Sequence, residues 1–151
     1  MPAVTFNLYD KYRQNSFNGG AIDIDAATLK MAIVTGSYTL DQNLHDFFDD
    51  VVANEVSGNN YTAGGNACTA GTVTINGSGL VTVDANDPAV WSQHATGFSN
   101  GRRAILYDSG PASDATRPLI GFSNDFGADK GNVDGDFSTT FSASGIFTSA
   151  R

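Results

Sequence analysis

Two histidines, sixteen acidic side chains, eight basic ones, one cysteine and one tryptophan are the groups in this chain best suited to chemistry. His45 is followed four residues later by Asp49, a spacing that on a helix allows a simple surface contact. A metal ligand would need a second histidine or carboxylate at matched spacing, as in HExxH, and that pattern does not occur. His94 lies in a Ser-, Gln- and Thr-rich turn after Trp91 and has no such companion either. Both read as structural or solvated. No GxSxG elbow sets one serine above the others, so nucleophilic catalysis lacks a centre. Cys68 reads as a small buried apolar side chain, and one cysteine excludes an intrachain disulfide or a four-cysteine zinc site.

The stretch Asn124 to Asp136, NDFGADKGNVDGD, is richer. Asp125, Asp129, Asp134 and Asp136 could offer hard oxygens to Ca²⁺. An EF-hand register starting at Asp129 puts Gly131 and Val133 at the third and fifth positions, Asp134 where glycine is required, and Thr140 at the twelfth. Starting at Asn132 puts Phe137 at the glycine position. The stretch reads as a solvated turn loop, since Asp and Gly suit turn geometry, and Ca²⁺ binding stays open. Asp125-Phe126-Gly127 resembles the kinase metal motif but lacks the loops that accompany it. The Gly-rich residues 58–65 follow a predicted helix rather than precede one, which is the wrong order for a phosphate cradle. Arg102 and Arg103 should point to opposite faces of a strand and so cannot form one clamp; Trp91 reads as packing. No catalytic residue, metal site or cofactor is expected, and the chain reads as a non-enzyme.

A chain of 151 residues suits one domain with an ordinary core. Charged residues make up 16%, below the roughly 25% of typical domains, and seventeen glycines suit short strands joined by many turns. The formal net charge of -8 opposes phosphate backbones and anionic lipid heads, so neither nucleic acid nor membrane is an expected partner. The N-terminal residues MPAVTFNLYDKYRQ contain no apolar core of a signal peptide, and no run reaches membrane-spanning length.

The elements follow from periodicity. Val4–Leu8 alternates and reads as a strand, and residues 10–20 read as a polar loop or extended arm, so residues 1–20 form an N-terminal strand and arm ahead of a single β-rich domain over 21–151. Ala21–Asp25 reads as another strand. Leu29–Thr35 is nearly continuous in apolar residues, which predicts a central strand covered on both faces. Asp41 suits an N-cap, and Leu44, Phe47, Phe48, Val51 and Val52 fit one helical stripe, predicting an amphipathic helix over about 42–53 with Phe47 and Phe48 facing the core. A long loop surrounds Tyr61. Gly71–Asn76 and Leu80–Asp84 flank Gly77-Ser78-Gly79 as a hairpin. Val90-Trp91, Arg103–Asp108, Pro118–Phe122, Phe137–Phe141 and Ile146–Thr148 supply further strands. The fold expectation is mainly β, a β-sandwich or jelly-roll-like barrel with that one helix.

With these residues laid out, the chain resembles a family of small tailed-bacteriophage virion proteins. The resemblance rests on Lys30-Met31-Ala32-Ile33-Val34-Thr35, Tyr38-Thr39-Leu40-Asp41, His45-Asp46-Phe47-Phe48-Asp49-Asp50-Val51, Asn54-Glu55-Val56-Ser57-Gly58 and Tyr61-Thr62-Ala63-Gly64-Gly65. Later matches are Trp91, Tyr107-Asp108, Pro118-Leu119-Ile120 and Asp125-Phe126-Gly127, so it covers most of the chain from residue 29 onward. Leu40 departs from the family's frequent proline. The resemblance implies a capsid decoration (cement) protein on the exterior of the phage head, bound to the major capsid protein and to copies of itself, often as a trimer. Expected contact residues are Phe6, Tyr9, Tyr12 and Phe17 in the arm and Asn59, Asn60 and Tyr61 in the loop from Ser57 to Asn66. The alternative is a tail-associated adaptor or fibre-base module, binding glycans through Trp91, Tyr61 and the Asp-rich loop.

Overall fold

The computed structural model of the protein describes residues 4–19 and 22–149. Its organising element is β2 (Leu29–Thr35), paired antiparallel with β6 (Gly101–Asp108) from Leu29 opposite Asp108 to Ile33 opposite Ala104. Side chains alternate across a strand, and here both sides are covered. Leu29, Met31 and Ile33 enter one core with Ala104 and Leu106, while Ala32 and Val34 enter another with Ile105 and Tyr107. That explains the continuous apolar run of Leu29–Thr35, which a half-exposed strand would not tolerate.

The chain is mainly β, with two antiparallel sheets in a sandwich-like arrangement rather than a closed barrel. The larger sheet has the order β1-β7-β6-β2-β3, with β1 at Phe6–Leu8, β3 at Asn66–Ala67 and β7 at Leu119–Ser123. The smaller sheet has the order β4-β5-β8, with β4 at Thr72–Ile75, β5 at Val81–Asp84 and β8 at Phe147–Ser149. The first core lies between the sheets and gathers Val83, Trp91, Phe98, Phe137, Phe141 and Ile146. The second lies on the outer face of the large sheet, under Tyr9, Tyr38, Phe48 and Val51.

Four sequence expectations need correction. Residues 10–17 are not an extended arm: Asp10–Phe17 is the helix α1. The run DKYRQNSF contains no Gly, Pro or β-branched residue, and Asp10 sits in the first turn, where the helix dipole favours an anion. Its polarity hid it, because only Tyr9 just before it and Tyr12 within it meet the cores.

The helix expected over 42–53 shrinks to α2, Asp49–Val52. Asp41 does cap the start of a turn, its carboxylate accepting from Asn43 N and Leu44 N at 3.0 Å each. The helix then fails because its backbone pairs elsewhere. Phe48 N donates to Arg117 O, Leu119 N donates to Asp46 O, and Phe47 bridges Pro118. Long-range pairing outweighs local periodicity here. Phe48 and Val51 are buried as the stripe requires, Phe47 is half-buried, and Leu44 is left 68% exposed.

The strand expected at Ala21–Asp25 is a turn around Ile24, with Ala21 outside the described residues. Phe137–Phe141 forms only a single bridge from Phe137 to Trp91. The hairpin β4–β5 and the strands at Arg103–Asp108 and Pro118–Phe122 stand as expected, with small shifts at their ends.

Candidate functional site

The most organised polar cluster of the described residues surrounds Glu55, where the polypeptide leaves α2 and meets β2. Glu55 Oε1 accepts the Tyr61 hydroxyl at 2.6 Å and Gly64 N at 2.7 Å. Tyr61 Oη in turn accepts Ile33 N at 3.0 Å, and the Tyr107 hydroxyl donates to Gly64 O at 2.8 Å. Burial pushes the Glu55 carboxyl above the usual range, against the lowering effect of the Tyr61 and Gly64 hydrogen bonds. Burial likewise raises Tyr61, and the neighbouring Glu55 carboxylate raises it further. Gly64 and Gly65 both have positive φ, at 87° and 75°. A side chain at Gly65 would collide with the Met31 carbonyl, so the loop lies directly on the central strand. Chemically, this arrangement fastens the loop 57–65 to β2.

A second polar chain runs across the outer core. Tyr9 Oη lies 2.9 Å from Tyr38 Oη, which lies 2.8 Å from His45 Nδ1. Asp41 N, which can only donate, also points at Nδ1 from 3.4 Å. His45 Nδ1 is therefore the acceptor, and the phenols donate in sequence toward it. His45 thus serves packing of the 38–48 segment, and the Asp49 contact that helical spacing would allow is not formed among the described residues.

His94 closes its own turn, accepting Thr96 N at 3.1 Å. Asn132, weighed in the sequence only as the start of a calcium-loop register, is fully buried and holds three loops together. Its side chain accepts Phe98 N and donates to Asn59 O and Ser92 O. Burial pushes the Cys68 thiol up to about 12, which keeps it protonated at neutral pH.

The Asp-rich loop is tied by Arg102, which meets Asp125 at 2.8 Å and Asp129 at 3.4 Å. Arg102 holds the Asp125 carboxyl below the usual range. Asp136 accepts Gln93 N at 2.8 Å. Among the described residues no group of three or more His, Cys, Asp or Glu side chains is placed to hold a metal ion. Arg103 turns to the opposite face, donating to Ser123 O with its guanidinium 5.8 Å from the Phe122 ring centre, so the two arginines do not form a clamp.

The expected contact residues divide. Phe6 and Tyr9 are buried, and Tyr61 is half-buried. Phe6 packs against Phe141, Tyr9 is completely buried against Phe122, and Tyr61 stacks on Trp91 beneath its loop. Tyr12 is half-buried with its ring edge-on to Phe147. Phe17 is 91% exposed at the end of α1. Asn59 and Asn60 are exposed on a loop pinned by bonds from Asn59 to Thr96 and from Asn60 to Ser92. Trp91, 1% exposed, packs in the core as expected and offers no face to a sugar. Glu55 was missed because nothing local marks it; its partners lie six and nine residues on.

No family model, curated protein or solved structure matches the chain. Among the described residues no helix is long and apolar enough to cross a membrane.

Proposed function

We propose that this protein is a non-enzymatic structural component of a tailed-bacteriophage particle, a head decoration protein that binds the major capsid protein and copies of itself on the outer shell. The observation that carries the reading is where the residues of the resemblance fall. Met31 to Val34 form the doubly buried strand, and Tyr38, His45, Phe48 and Val51 cover one of its faces. Glu55, Tyr61, Gly64 and Gly65 lock a loop across the other end of it. The residues that carry the resemblance thus build one packing unit, which supports reading the chain as a building part.

Such a protein works by contact. Binding only the assembled shell adds free energy that must be overcome before subunits separate, in proportion to the logarithm of its concentration over its dissociation constant. A stable contact of this kind buries about 1,600 Å² in total. The exposed Phe17 and the pinned Asn59–Asn60 turn are the parts of the expected contact segments still free to contribute.

Immunogold labelling of phage particles with antibody to this chain tests the reading, with cryo-microscopy of the same particles. Label over the head shell is expected. Label confined to the tail would replace it with the tail-adaptor reading, and particles without label would remove the virion role altogether.

A further inference from the structure

Each sheet of the sandwich ends in a strand edge with unpaired backbone groups, and both edges line one groove; the outer side of β1 is met just before it, where Val4 N donates to Thr140 O at 3.0 Å. Phe6, Asn7 and Leu8 of β1, Phe147 and Thr148 of β8, Arg13 of α1 and Gln42 enclose about 290 Å³. The ladder of β1 shows which backbone groups face it. Asn124 N donates to Thr5 O and Tyr9 N to Ile120 O, so Thr5, Asn7 and Tyr9 bond to β7 while Phe6 and Leu8 turn outward. The Gln42 side chain takes Leu8 O at 2.9 Å. Phe6 N, Phe6 O and Leu8 N have no partner among the described residues. In β5, Leu80 pairs toward β4 through Asn76 and Val83 toward β8 through Ile146, which leaves Thr148 of β8, opposite Thr82, facing outward.

We infer that this groove accepts an extended peptide segment of another protein, which bonds along the β1 and β8 edges and sets an acidic side chain against Arg13. Strand addition supplies main-chain hydrogen bonds to exposed edges, with alternate side chains entering a pocket. Arg13 is the charged residue of the lining, within a chain of net charge -8. Its one ion pair among the described residues, to Asp10 at 3.4 Å, uses only Nη1 and leaves the rest of the guanidinium for a carboxylate. A second copy fits less well, because a two-fold contact through this groove would bring like charges together. At the β4 edge Asp25 Oδ1 already accepts Val73 N at 2.8 Å, a charged side chain of the kind that discourages edge pairing. The inference goes beyond the capsid reading and does not rest on it.

The test uses the full chain, isotope-labelled, titrated with the peptide acetyl-TVTVD-amide and separately with acetyl-TVTVK-amide. The expected result is shifted resonances and slowed hydrogen exchange at the amides of Phe6, Leu8 and Thr148, with the acidic peptide binding several-fold more tightly. In Arg13→Glu, whose unperturbed spectrum elsewhere reports an intact fold, the order of the two peptides reverses. Silence at these three amides with both peptides overturns the inference, as does equal binding of the two or binding at β4. Changes that depend on protein concentration without any peptide would assign the groove to a second copy and overturn it equally.

Discussion

The Tyr61 hydroxyl joins Glu55 Oε1, 2.6 Å away, to the amide of Ile33, 3.0 Å away, so one phenol links a loop carboxylate to the central strand. The ring beneath that hydroxyl stacks on Trp91 and meets Phe98 edge-on, which makes Tyr61 part of the core despite its Gly- and Asn-rich surroundings.

Tyr61→Phe keeps the ring and removes only the oxygen. Ile33 N then loses its acceptor and Glu55 one of its donors. Leaving such groups unpaired costs about 1–3 kcal/mol, which urea denaturation should read as a lower midpoint with an unchanged slope. An unchanged midpoint would show that the hydroxyl bridge contributes nothing.

Glu55 should make stability depend on pH in a defined direction. Its folded-state carboxyl lies above the unfolded value because of burial. Its favourable contribution is therefore complete below the unfolded value, about 4.3 for a free glutamate, and is lost as pH rises through the folded one. The stability of the wild type relative to Glu55→Gln should accordingly increase as pH falls from neutrality through that window. Paired denaturation curves at several pH values check the sign.

Gly65→Ala should be among the most damaging small substitutions in the chain. Gly65 has φ of 75°, and an added methyl would meet the Met31 carbonyl and Ala32 Cα. Strain and overpacking together should cost about 3 kcal/mol or more. Gly77→Ala, where nothing lies within 4 Å, serves as the control and should leave the thermal midpoint nearly unchanged.

The Asp-rich loop should be indifferent to calcium. Arg102 occupies Asp125 and Asp129, and Asp136 bonds Gln93 N. Adding CaCl2 and then EDTA is expected to leave the thermal midpoint unmoved. The Asp125 carboxyl, held low by Arg102, should titrate nearer the ordinary aspartate range in Arg102→Ala or in high salt, observed by carbon NMR. The stabilising contribution of that pair is present above the unfolded aspartate value and is lost as pH falls through the folded one.

What could be read from the sequence was what periodicity alone decides. The unbroken apolar run at Leu29–Thr35 announced a strand buried on both sides, and Gly77-Ser78-Gly79 announced a hairpin. The 42–53 helix misled because Phe47 and Phe48 have helical spacing, while their backbone pairs with Arg117 to Leu119, a partner no local window contains. The α1 helix went unread for the opposite reason, since its stability comes from tertiary anchoring at Tyr9 and Tyr12 and not from an apolar stripe. Tyr61 was placed on the surface because glycines and asparagines surround it. Its burial depends on Glu55 and Trp91, whose convergence only the folded chain reveals. Trp91 itself was legible, as a lone tryptophan in a β-rich chain usually packs.

The pairing of β2 with β6 joins the first third of the chain to its last third. Closing so long a loop loses chain entropy before any contact rewards it, so this pairing is expected to slow folding. The hairpin β4–β5, turning through Gly77-Ser78-Gly79, needs only local pairing. The central sheet must wait for the residues after Gly101. A ribosome that has released only the first hundred residues therefore leaves one edge of β2 with unpaired backbone groups until β6 emerges to pair with it.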